Sequence, residues 1–193
     1  MQTPTPQRIL IIGSGGAGKS TLAGQLHALT GIEVIHLDQH YWQPDWVETE
    51  KREWEEKVAA LAARDSWIMD GNYGGTLDLR IERADTVIFL DRSRWRCLYR
   101  VMKRLAISYG RTRADMAAGC RERFDWAFVT YVYGYTRTRR PAILSKLEGI
   151  HPQKTVVRLR SDREVSTYLA AVKNAILAIG PGGGAPNRKT ELE

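Results

Sequence analysis

The sequence predicts an α/β fold built on a parallel sheet, on three observations. Short apolar runs alternate with helical stretches along the chain. Three of these runs end at Gly13, Asp38 and Asp70, residue types that phosphates and magnesium use. Ligands of such sheets bind outside the carboxyl ends of the strands. The first run also opens into a glycine-rich loop followed by a helix.

Arg8 to Ile12 is a short apolar run ending at Gly13, as expected of a buried parallel strand. Lys19 to Leu29 reads as a helix with Leu22, Leu26 and Leu29 on one face. Glu33 to Asp38 reads as the second strand. The spacing of Trp54, Val58 and Leu61 predicts a helix over 49–64, with Thr49 as its cap. Trp67 to Asp70 and Thr86 to Asp91 are the next two strands, and a long basic helix follows from about Ser93. Phe124, Phe128, Tyr131 and Tyr135 make a helical face over 124–140, ended by Pro141. Thr155 to Leu159 is the fifth strand, and Asp162 caps a last helix running to about Ala178. Residues 1–179 thus form one domain, with a basic lid over about 92–140. The glycine- and proline-rich 180–193 is expected to be a disordered tail.

The loop is the most specific signal. Gly13, four residues, then Gly18-Lys19-Ser20 matches G-x-x-x-x-G-K-[ST] in the strand–loop–helix context the motif requires. Its glycines let backbone N–H groups turn onto phosphates, and the helix start adds a positive dipole end. Gly13, Ser14, Gly15, Gly16, Ala17, Gly18, Lys19, Ser20 and Thr21 are the predicted nucleotide-binding residues. Lys19 is expected to reach the β- and γ-phosphates, and Ser20 to supply a magnesium ligand.

Composition narrows the class. Hydrophobic residues make up 43% of 193, ordinary for a globular domain, and no apolar run approaches the length of a membrane span. The N-terminal MQTPTPQRILII lacks the pattern of a signal peptide, so a cytoplasmic location without membrane attachment is expected. Cys97 and Cys120 fit no metal-binding spacing and are expected to be reduced. The net charge of +7 is concentrated: residues 92–123 hold ten arginines or lysines against Asp115 and Glu122, and the rest is near neutral. Such concentration suits a phosphate-handling element, while a nucleic-acid-binding stripe stays open as the alternative. The guanine-reading N-K-x-D and the γ-phosphate-sensing D-x-x-G of GTPases do not occur in their contexts. No Asp-Glu pair follows a strand, and no L-S-G-G-Q is present. These absences weaken a hydrolase reading, while a switch-type NTPase stays open beside the nucleic-acid alternative.

The remaining class is a small kinase. GSGGAGKSTLA, HLDQHYWQPDW, the run from Trp67 to Arg104, CRERF and VVRLRSDREVSTYL together resemble the adenylate kinase-like P-loop kinases. More narrowly they resemble the bacterial DNA topology modulation proteins, also called adenylate kinase-related kinases. The resemblance covers about residues 8–172. It implies a five-stranded parallel sheet in the order 2-3-1-4-5, ATP and Mg2+ as cofactors, and phosphoryl transfer to a small acceptor such as a nucleoside, nucleotide or other hydroxyl compound.

The same resemblance implies roles for residues. Asp70 would hold magnesium through a water. Related kinases continue past this Asp-Gly step with Phe-Pro-Arg, whereas this chain has Asn72-Tyr73-Gly74-Gly75; Arg80 is then the candidate acceptor-side arginine. Asp38 would face the acceptor, to orient its hydroxyl, accept its proton or bind magnesium. His36 and His40 flank Asp38, and in an extended chain the three would share a face and form a weak metal pattern. Trp42, with Pro44 and Trp46, either walls the acceptor pocket or staples the next helix. Arg96, Arg100 and Arg104 share a helical face, and arginines so placed call for an anion among them. Arg100 and Arg104 resemble the arginine pair at the base of the adenylate kinase lid, with Arg111, Arg113, Arg121 and Arg123 on the lid itself. Arg160 and Ser161 would border the adenine. Nucleic-acid binding is expected to be weak and non-specific.

Overall fold

The computed structural model describes residues 6–150 and 152–179. The expected tail at 180–193 lies outside them. The chain runs β1 (Arg8–Gly13), α1 (Lys19–Thr30), β2 (Val34–His36), α2 (Leu37–Tyr41), β3 (Trp42–Gln43), β4 (Val47–Glu48), α3 (Lys51–Ala62) and β5 (Trp67–Asp70). It continues through α4 (Leu77–Arg83), β6 (Thr86–Leu90), α5 (Arg94–Ser108), α6 (Trp126–Thr138), α7 (Arg140–Glu148), β7 (Thr155–Leu159) and α8 (Asp162–Ile179).

Five strands form one sheet in the order β2-β5-β1-β6-β7, and every pairing is parallel. Counted by the strands of this sheet alone, that is 2-3-1-4-5. The register sets Ile11 opposite Asp70 on one side and Gly13 opposite Leu90 on the other, so the strand ends converge at one edge. Alternation along β1 feeds two cores. Leu10 and Ile12 join Trp54, Val58 and Phe89 on one face, while Ile9 and Ile11 join Leu22, Leu26 and Val101 on the other. Being covered on both faces explains why these strands read as continuous apolar runs. Each fully buried large side chain contributes roughly 1.5–3 kcal/mol, which makes the sheet a stiff platform for its loops.

Several expectations shift. Helix α3 is capped by Glu50, whose carboxylate accepts from the N–H groups of Arg52 and Glu53. Thr49 instead turns its hydroxyl back to the Tyr41 carbonyl. The second strand stops at His36, and the chain enters a single helical turn that buries Leu37. The helix expected over 124–140 is present as α6, but Pro141 does not end the helical region. It sits in the first turn of α7, where a missing N–H costs nothing. Helix α7 and the β3–β4 hairpin were not foreseen, because two-residue strands carry no periodicity to read.

Candidate functional site

The loop 13–20 crosses from β1 to α1 with backbone that only glycine adopts freely. Gly16 has φ of +74°, and a Cβ there would lie 2.4 Å from the Cys97 carbonyl oxygen. Gly18 has φ of +100° and starts α1 with no side-chain cap and no acidic residue in the first turn. The first N–H groups of α1 therefore remain available to an anion. Lys19 Nζ lies over the loop, 3.2 Å from the Ser14 carbonyl oxygen. Gly13 is pinned by the Asn72 side chain at 3.1 Å, and Asn72 in turn donates to the Tyr131 hydroxyl at 2.8 Å. An uncapped helix start, a glycine loop and a lysine folded over it fit a triphosphate.

Beside the loop, Asp70 is 4% exposed and its Oδ1 lies 2.8 Å from His36 Nδ1. That hydrogen bond raises the His36 pKa above its ordinary value, against the opposing effect of burial. The turn at 37–41 aims Asp38 into the same cavity, where Tyr73 donates its hydroxyl to Oδ1 at 2.6 Å. Burial pushes the Asp38 pKa up, opposed by the Tyr73 hydrogen bond and the charge of Lys19. His40 does not join them. It sits half-buried on the helical turn, its carbonyl accepts from Lys57 at 3.3 Å, and burial lowers its pKa. The H-x-D-x-H pattern thus makes no shared face. Among the described residues no group of three His, Cys, Asp or Glu side chains is placed to hold a metal. Magnesium needs no such cage, since it keeps several waters and takes few protein ligands. Ser20, Asp70 and Asp38 all line the cavity and suit that chemistry.

The side where the sequence leads one to expect a lid comes from α5, α6 and the segment 109–125 between them. Five of the basic residues are gathered around two carboxylates. Asp162 at the start of α8 pairs with Arg92 at 2.8 Å and Arg100 at 3.1 Å, and also with Arg96. Burial works against ionisation of Asp162, yet these guanidiniums hold its pKa below the usual range. Glu122, 6% exposed, pairs with Arg104 at 3.0 Å and Arg113 at 3.1 Å. Arg100 also donates to the Ala17 carbonyl at 3.2 Å, joining α5 to the phosphate loop. Arg100, Arg104, Arg113 and Arg123 line the cavity, with Arg123 standing 6.0 Å from the centroid of the Trp46 ring.

Segment 109–125 is docked onto the β3–β4 hairpin. Trp46 Nε1 donates to the Arg121 carbonyl at 3.0 Å, and Cys120 Sγ to the Gln43 carbonyl at 3.2 Å. Met116, Ala117 and Cys120 pack against Trp42 and Trp46. Asp45 and Trp46 hold φ near +62° and +65°, a strained conformation for a tryptophan and of a kind that clusters at ligand sites. The result is one cavity of about 950 Å³, with the phosphate loop along one wall and Asp38, Trp42 and Trp46 along another.

Arg80, Arg121 and Arg160 stand apart from this cavity. Arg80 is fully buried and donates to the carbonyls of Gly71, Asn72, Tyr73 and Thr76. It shapes the 71–76 loop from beneath and faces no acceptor. Arg121 is exposed and contributes its carbonyl to the lid contact. Arg160 is exposed and its N–H is held by Glu164 at 2.8 Å; Val165, Ser166 and Leu169 of α8 line the cavity instead. Sequence reasoning missed Tyr73 and the pairing roles of Asp115, Glu122 and Asp162. A signal existed for two of them: Asp115 and Glu122 are the sole acids in the basic stretch 92–123.

No protein-family model and no curated protein matches the chain. Solved structures do. A shikimate kinase from Acinetobacter baumannii, in complex with shikimate, is 16% identical with a TM-score of 0.57, over 92% of this chain and 96% of that one. A gluconokinase from Sinorhizobium meliloti 1021 is 15% identical with a TM-score of 0.49, over 91% and 98%. The likeness to the shikimate kinase shows the fold, an α/β domain with a parallel five-stranded sheet flanked by helices.

Proposed function

We propose that the protein is an ATP- and magnesium-dependent kinase that phosphorylates the hydroxyl of a small acceptor, within the adenylate kinase-like group its motifs resemble. The observation that carries this is the meeting of Lys19, Asp38 and the arginines of α5 and the lid around one cavity. The half-buried carboxylate of Asp38, in the same cavity as Lys19, is what we read as the group that receives an acceptor hydroxyl.

In this reading the loop amides, Lys19 and the α1 N-terminus hold the triphosphate. Ser20 and Asp70 would hold magnesium, whose chemistry there would be to neutralise charge on the phosphates. Arg100 and Arg104 stabilise charge on the transferred group, exchanging part of their pairing with Asp162 and Glu122 for phosphate oxygens. Asp38 accepts a hydrogen bond from the acceptor hydroxyl and takes its proton as that oxygen bonds to the γ-phosphorus, while the bond from that phosphorus to the bridging oxygen breaks and ADP leaves. Tyr73 keeps the carboxylate aimed. Trp42 and Trp46 offer ring faces and edges to the acceptor, which fits a planar or apolar body.

Support against a nucleic-acid role comes from the arginines themselves. Arg92, Arg96, Arg100, Arg104 and Arg113 are engaged by Asp162 and Glu122, not arrayed outward as a stripe. Among the described residues no helix is long and apolar enough to cross a membrane.

Asp38→Asn tests the reading. It should lower kcat about 100-fold or more, with ATP affinity changed by less than about threefold. Because burial raises the Asp38 pKa, the acid limb of kcat should lie above the usual aspartate value of about 4. The sign for stability follows. Asp38 stabilises the fold below its unfolded pKa and loses that contribution as pH rises through its folded one. The asparagine variant should thus be no less stable than the parent at pH 8. A collapse of ATP affinity with kcat retained would make Asp38 a metal ligand instead.

A further inference from the structure

Eight of the eleven large apolar side chains that stand exposed among the described residues lie between 95 and 133. Their placement follows the helical repeat. Trp95, Tyr99 and Met102 recur at i, i+4 and i+7 along α5, and Trp126 and Tyr133 at i and i+7 along α6, so each set shares a helix face. Both helices already bury a different apolar face, through Cys97 and Val101 on α5 and through Val132 and Tyr135 on α6. A helix that is apolar on opposite faces calls for cover on both.

The two stripes form one surface. Trp95 meets the Tyr133 ring edge-on at 5.8 Å, and Arg104 stands 5.7 Å from the Phe128 ring centroid, so α5 and α6 run antiparallel side by side. Seven residues up α5 and seven down α6 from the first contact bring Met102 level with Trp126. Phe124 extends the surface, its ring 6.2 Å from that of Trp126. These six residues are between 45% and 70% exposed. At about 200 Å² for a full aromatic side chain, they present roughly 650 Å² together. The largest apolar patch of an ordinary monomer reaches only about 300–600 Å². A standard interface takes about 800 Å² per partner, of which about 65%, or roughly 520 Å², is apolar between identical subunits. The face holds enough. Tryptophan, tyrosine, phenylalanine and methionine, with charge kept out of the stripes, are also what interface centres are made of.

We infer that this face is where a second copy of the chain docks, α5 and α6 of one protomer against those of its partner. Antiparallel stripes with large rings at both ends suit a two-fold axis, which sets ring against ring or ring against the Met102 thioether. Arg100 and Arg104 leave the other side of α5, toward the Ala17 carbonyl and Glu122. The pairing therefore covers the back of the helix that carries them and leaves the cavity open.

The test is sedimentation velocity of the full chain from about 1 to 100 µM, since a dimer is populated by mass action. The parent should approach twice its 21.9 kDa as concentration rises. Trp95→Glu and Tyr99→Glu each place two charges in a two-fold interface and should weaken the dimer at least about 100-fold. Both side chains are exposed, so circular dichroism and the unfolding midpoint in dilute solution should match the parent. Leu177→Glu, at an equally exposed apolar site on α8, should leave the dimer intact. A parent that stays monomeric at every concentration overturns the inference. So does a dimer that both face variants retain, or one that Leu177→Glu also loses. Binding of a monomeric parent to vesicles of anionic phospholipid, lost in Tyr99→Glu, would overturn it too and assign the face to a lipid surface.

Discussion

The two walls of the cavity are held by opposite means. The sheet wall rests on parallel pairing and two apolar cores, and its key loop is set by backbone that tolerates little but glycine. The lid wall, 109–125, has only a single antiparallel bridge between Thr112 and Arg121. It is held by a few side-chain contacts to the β3–β4 hairpin and by carboxylates that gather arginines. In the proposed kinase, stiffness on one side would fix where phosphates lie, and sparse contacts on the other would let a wall open at low free-energy cost for substrate entry. The charges differ in the same sense. The sheet side carries Lys19 in one cavity with Asp38 and Asp70, whereas on the lid side Arg100, Arg104 and Arg113 are already paired with carboxylates.

The contrast can be broken most forcefully at the sheet wall. Lys19→Ala should remove at least about 1,000-fold of turnover and leave the circular dichroism spectrum unchanged, because Lys19 contacts the loop and cavity, not the core. Normal activity in a folded variant would end the phosphate-loop account. On the lid wall, Arg104→Ala should slow turnover about 100- to 1,000-fold with a much smaller change in ATP affinity. It should also leave Glu122 buried with one partner fewer. Equal losses in kcat and ATP affinity would show ground-state binding only.

The smallest effect sharpens the comparison. Trp46→Phe keeps a ring against the lid but removes the hydrogen bond to the Arg121 carbonyl. A neutral hydrogen bond contributes about 1 kcal/mol, so the closed lid should lose roughly fivefold in population. The acceptor KM should rise by a similar factor while the unfolding midpoint barely moves. A midpoint drop of many degrees would mean that lid and sheet form one cooperative unit.

What the sequence disclosed divides along the same line. The sheet side was legible because its determinants are local: apolar runs bounded by Gly13 and Asp70, and a loop whose spacing states its own geometry. The end of β2 was not, since Leu37 is pulled into the core by a helical turn that no pattern in EVIHLD announces. Arg80 was misplaced because a buried arginine serving four carbonyls looks, in sequence, like any other cation. The lid was legible only as charge. Its partners Glu122 and Asp162 come from outside α5 and are set by tertiary packing, 18 and 62 residues from Arg104 and Arg100 respectively. Two acids in a basic stretch were the available clue.

The most direct test of the central claim uses the unaltered protein with magnesium and ATP labelled in the γ-phosphate. The label is followed across a panel of nucleosides, nucleotides and small alcohols. The account predicts that at least one acceptor captures the label as a stable phosphate ester. Release of ADP should then run well above the rate without acceptor. Label appearing only as inorganic phosphate, at a rate no acceptor changes, would contradict it.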